Sequence, residues 1–100
     1  MDVIKEYNIP DELKGIIPGY IGRRYQDIVL LRTFIANNDF DSISKLGHKL
    51  KGNGASFGFD RISELGGLLM EACNRYDITK LKSLVGDFEV EINSIKTIVL

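Results

Sequence analysis

From Phe40 to Phe59 the chain reads FDSISKLGHKLKGNGASFGF. On a helical wheel, where successive residues turn by about 100°, Phe40, Ile43, Leu46, Gly47, Leu50 and Gly54 share one face. His48, the only histidine of the chain, points roughly 145° away from that face. The segment therefore reads as an amphipathic helix that rests its apolar side on a core and turns His48 to solvent. Asn38 or Asp39 is placed to cap its start, and the glycine-rich Gly52-Asn53-Gly54 is expected to fray its end before Phe59.

The same periodicity continues on both sides. Upstream, Ile21, Tyr25, Ile28, Leu31 and Ile35 recur at steps of three and four from Tyr20 until Asn37-Asn38. Before that, Pro10 followed by Asp11-Glu12-Leu13 marks the start of a short helix, which Pro18-Gly19 is expected to interrupt. Residues 1–9 read as a loose leader. Downstream, Asp60 is expected to cap a helix with Ile62, Leu65, Leu68, Leu69 and Ala72 on its apolar side. After a turn near Asp77 the last helix carries Leu81, Leu84, Val85, Phe88, Ile92, Ile95 and Val99. Strand-like alternation is weak, and the connections are short, as neighbouring antiparallel helices require. The expectation is an all-α protein: an antiparallel four-helix bundle with a short additional N-terminal helix, residues 1–100 forming a single domain.

One hundred residues support one hydrophobic core and no second catalytic lobe. Thirteen Lys and Arg against fourteen Asp and Glu leave no basic field to hold nucleic acid or an anionic membrane. No apolar run is long enough to span a bilayer. With Cys73 as the only cysteine there is no internal disulfide, and no signal-peptide pattern opens the chain, so a cytoplasmic protein is expected. Met1 favours an independent protein over a piece of a sensor kinase. Without a sustained exposed heptad seam, a monomer is expected.

Around His48 the helical spacing sets the neighbours. Ser44 and Gly52 lie one turn before and after it, and Gly52 leaves that side empty for something to approach. Lys45 and Lys51, three residues to either side, are placed to reach toward the imidazole. Their charges oppose a second positive charge on the ring and would stabilise a phosphoryl group carried there, while attack on phosphorus requires a neutral ring nitrogen. Spacing alone also admits a plainer reading, in which an isolated histidine and solvating lysines share a helix face and Gly52 begins the helix end.

The string His48-x-Leu50-Lys51-Gly52, with Gly58 six residues on, resembles the histidine-containing phosphotransfer (HPt) domain of two-component phosphorelays. Asn38-Asp39-Phe40-Asp41 is similar to that family's helix start, and Ile62-Ser63-Glu64-Leu65 to the helix after its glycine turn. The resemblance implies an antiparallel four-helix bundle in which His48 is phosphorylated, Lys51 lies near the phosphoryl group, and Gly52 clears space for a receiver domain. It further implies that Gly58 shapes the turn and Leu50 is core. Lys49, outside the motif, sits where an electrostatic role is plausible. By the same resemblance the partners are receiver domains of response regulators, with a hybrid sensor histidine kinase as a further candidate. The receiver supplies the aspartate and the Mg²⁺, and the chain needs no cofactor of its own. No phosphate-binding loop of the Gly-x-x-x-x-Gly-Lys-Ser/Thr kind is present, so the chain is expected to be a relay intermediate and not a kinase.

The same residues admit two other functions. A binding-only bundle would dock a receiver or kinase and never be phosphorylated. A hydrolase would use His48 as general base with Ser44 as the nearest hydroxyl, and would need an orienting carboxylate and a concave site. Cys73 reads as a packing residue. Tyr20, Arg23, Arg24 and Tyr25 read as core and solvated face without function, and Phe57 and Phe59 as core before docking patch.

Overall fold

In a computed structural model, which describes Tyr7 and residues 9–99, the chain forms four helices: α1 (Ile17–Ala36), α2 (Phe40–Phe57), α3 (Asp60–Asn74) and α4 (Ile78–Val99). Each helix packs on its neighbour in sequence, and α4 closes the ring against α1. Connections of three residues or so force an up-and-down helical bundle. The core between the helices includes Ile28 and Leu31 of α1, Ile43 and Leu50 of α2, Leu65 and Leu69 of α3, and Leu84, Phe88 and Ile92 of α4. Each such side chain contributes about 1.5–3 kcal/mol by leaving water.

The short helix expected at the start is a 3₁₀ helix and is not set apart from α1. Asp11–Ile16 winds as a 3₁₀ stretch that runs on into α1. Pro18 does not interrupt it, because it falls in the first turn of α1, where no N–H is needed and its fixed φ suits the helix. The leader is not uniformly loose either. Tyr7 packs edge-on against Phe59, 5.7 Å between ring centres, and donates to Glu91 Oε2 at 3.1 Å. Ile9 is partly buried against the core. Residues 1–6 and 8, the rest of that leader, lie outside the described residues.

Between α1 and α2, Asn38 takes the left-handed conformation (φ 55°). Asp39 is the cap: its carboxylate accepts from the Ser42 N–H at 3.2 Å and from Ser42 Oγ at 2.6 Å. These hydrogen bonds to the ionised form hold the Asp39 carboxyl below its usual range. At the other end α2 does not fray at Gly52-Asn53-Gly54 but continues to Phe57. Gly58 then turns the chain at φ 81°, its N–H bonding to the Ala55 carbonyl while the Phe59 N–H bonds to that of Gly54. This pair of bonds is the Schellman termination, which asks for glycine because of the positive φ. The next helix is capped at Phe59, not Asp60. Asp60 is its first residue and makes no capping hydrogen bond, although its charge suits the helix dipole. The turn near Asp77 has Tyr76 at φ 52°, and Asp77 caps α4 by accepting from the Lys80 N–H at 3.0 Å.

The closest packing in the molecule is between α2 and α3, through glycine. A Cβ on Gly66 would lie 2.5 Å from the Gly47 carbonyl oxygen and 2.5 Å from the Lys51 nitrogen, and one on Gly54 would lie 2.5 Å from the Ser63 nitrogen. The two backbones therefore touch at Gly47 and Gly54 of α2, and Ser63 Oγ donates to the Lys51 carbonyl across the seam at 2.8 Å. That explains the unbroken helix. At Gly47 and Gly54 the glycine penalty, about 1 kcal/mol each, is outweighed by contact that only glycine permits.

Candidate functional site

Gly47 locks α2 onto α3, and the residue after it faces the other way. His48 is exposed, while Ile43 and Leu50 on the opposite side are fully buried. The imidazole makes no hydrogen bond with any described residue, so both ring nitrogens are open to an incoming group. Ser44, one turn back, is half-buried; Gly52, one turn on, is exposed, and a Cβ there would meet nothing within 4 Å. The emptiness expected beside the histidine is present.

The lysines do not act as one set. Lys45 is expected from its spacing to reach toward His48, but its ammonium lies 2.9 Å from Asp41, one turn further back. That hydrogen-bonded partner raises the Lys45 pKa. A carboxylate four residues away is the stronger partner for an ammonium than the imidazole. Lys49 and Lys51 are exposed and form no ion pair among the described residues. A shallow depression is lined by Asp41, Ser44, Lys45, His48, Lys49 and Met70 of α3; Lys51 lines a separate depression with Glu64 and Glu71 of α3.

The site has no hydrolase constellation among the described residues: no carboxylate orients His48, and Asp41 is taken by Lys45. No group of three or more His, Cys, Asp or Glu is placed to hold a metal there. Cys73 is buried, and burial raises its thiol pKa, away from the reactive thiolate. Phe59 is core, and Phe57 stacks at 4.2 Å on Tyr20. No described helix is long and apolar enough to cross a membrane.

What sequence reading missed is on α1. Arg24 is not on the solvated face: it and Asp27 are each only 9% exposed, joined from Nε to Oδ2 at 2.8 Å. Arg24 also covers the Tyr20 ring at 4.5 Å, and Tyr20 donates its hydroxyl to Asn53 Oδ1 of α2 at 2.7 Å. Burial pushes the Asp27 carboxyl up, against the pull of Arg24 and, more weakly, of Lys49. The wheel carries the signal, since Arg24 falls in the arc of Tyr20, Ile28 and Leu31, with a carboxylate one turn on.

The described residues form a helical bundle with the chain's one histidine displayed on an exposed helix face beside Lys49. A family model, the Hpt domain, matches residues 25–96, which cover most of α1 and all of α2 and α3. The chain belongs to the Hpt domain family. No curated protein and no solved structure gives a significant match.

Proposed function

We propose that this protein accepts a phosphoryl group on His48 from the aspartyl phosphate of a response-regulator receiver domain, and returns it to such an aspartate. The observation that carries the reading is the state of His48: exposed, unbonded, beside open space at Gly52 and two unpaired lysines, in a chain of the Hpt family. In the forward step a ring nitrogen lone pair of His48 attacks phosphorus in line as the bond to the aspartate oxygen breaks, releasing the carboxylate. The reverse step re-forms that bond. Lys51, and Lys49 beside it, offset the charge brought to the ring, Gly52 admits the receiver's backbone, and Gly58 keeps the helix hairpin in shape. Ser44 borders the imidazole without a chemical step of its own. The Mg²⁺ that in-line transfer needs is assigned to the receiver. A hybrid sensor kinase carrying a receiver domain fits the same role, and the protein works as a monomer in the cytoplasm.

The test is transfer of label from a phosphorylated receiver to the protein, with His48→Gln alongside. Acid-labile, base-stable label that requires His48 is expected, with the variant's stability within about 0.5 kcal/mol of wild type because the side chain is exposed. Binding of receivers without label would instead make the protein a docking module.

A further inference from the structure

The turn of α2 that follows His48 is its least helical stretch by composition, with two glycines and an asparagine in succession. It is held on both flanks. From α3, Ser63 bonds to the Lys51 carbonyl. From α1, the Tyr20 hydroxyl bonds to the Asn53 side chain. Tyr20 is itself fixed: its ring is 1% exposed, stacked on Phe57 and covered by the Arg24 guanidinium, which Asp27 holds. Of the neighbouring helix pairs, α1 and α2 touch least, and among the described residues the Tyr20–Asn53 bond is the side-chain hydrogen bond that joins them. Tyr20 and Arg24 precede the segment that the family model matches.

We propose that Tyr20, backed by Arg24 and Asp27, is a positioning residue for phosphotransfer: by pinning Asn53 it holds the Gly52 turn, and Lys51 with it, in register with His48. The inference rests on the relay reading. Tyr20 acts through the backbone of α2, not on the reacting atoms, and it matters because in-line transfer tolerates little displacement of the groups around phosphorus.

Tyr20→Phe removes only the hydroxyl and keeps the ring's contacts. Tyr25→Phe is the matched control, since it removes a tyrosine hydroxyl that donates to Asn93 on the α4 side of α1. Amide hydrogen exchange and transfer rates over a range of phosphorylated receiver are measured for both. In Tyr20→Phe the amides of residues 53–56 should exchange about fivefold faster, the factor that one net hydrogen bond is worth. The transfer rate at saturation should fall by a similar factor of about five, with the half-saturating receiver concentration unchanged. Asn53→Ala should lose as much, and the double variant no more. Tyr25→Phe should match wild type. Saturated transfer within about twofold of wild type in Tyr20→Phe, an equal loss in Tyr25→Phe, or a loss confined to half-saturation overturns the proposal. A wild-type protein that takes no label overturns the relay reading and this one with it. Normal wild-type labelling with unaltered Tyr20→Phe kinetics overturns this one alone.

Discussion

Replacing Gly52 by alanine should make the protein more stable and a worse phosphoryl carrier. Gly52 lies well inside α2, six residues before the Gly58 turn, so the change gains the full helix propensity difference, about 1 kcal/mol. The added methyl meets no atom within 4 Å, so no steric term opposes that gain. For a domain of this size the melting temperature should rise by about 4–8 °C. The same methyl stands one turn from His48, in the space left for the partner. A displacement of the reacting groups of order 1 Å costs about a hundredfold in rate, so transfer should fall by roughly tenfold or more, and Gly52→Leu should suppress it further. Thermal unfolding by circular dichroism and the transfer assay read the two effects on the same samples. A lower melting temperature would refute the open geometry at Gly52, and a stabilised variant with wild-type transfer would remove Gly52 from the site.

The opposite sign is expected at Gly66→Ala, where the new methyl would press on the Gly47 oxygen and the Lys51 nitrogen, both backbone atoms at 2.5 Å. Overpacking there should exceed the propensity gain by about 2 kcal/mol and lower the melting temperature by about 10 °C; an unchanged melting curve would contradict the contact between α2 and α3. Arg24→Met should cost about 3 kcal/mol by leaving Asp27 buried without its partner, measurable as a lower urea midpoint at neutral pH and partly recovered at acid pH as Asp27 takes a proton. Asp39→Ala should destabilise α2 and change the pH dependence of melting. The Asp39 pKa is lowered from 3.8 on folding, so its contribution is present above that value and lost as pH falls through the folded one; the variant should melt with a shallower acid slope, and an unaltered slope would rule out the cap.

The four helices and the exposure of His48 were legible because burial follows the helical period, and each apolar stripe from Tyr20 to Val99 repeats at it. Local signs failed where a distant residue reverses their meaning. Gly52-Asn53-Gly54 looks like a helix end to any propensity argument, yet Gly54 touches α3 and Asn53 is held from α1, contacts that no local window contains. Pro18 looks like a break until it is known that α1 begins one residue earlier. Lys45 differs for another reason: Asp41 stands at the right spacing in the sequence and takes the ammonium that spacing alone would direct to His48. Arg24 shows the cost of reading charge as exposure: the wheel put it inside, and Asp27, one turn on, supplied the partner that burial requires. The candidate site is legible as residue types around a single histidine, and the Tyr20–Asn53 and Arg24–Asp27 contacts behind it on α1 are not.

Whether a phosphorus–nitrogen bond forms on His48 is decided by nitrogen and phosphorus NMR of the ring-labelled protein mixed with a phosphorylated receiver. With one histidine in the chain, a new ring-nitrogen signal has a single assignment. A phosphoramidate resonance is expected together with a shifted His48 ring nitrogen, both lost on addition of excess unphosphorylated receiver as the group returns to aspartate. Receiver phosphate that disappears while the His48 nitrogens keep their positions, or a phosphoryl signal that persists in His48→Gln, would contradict transfer to His48.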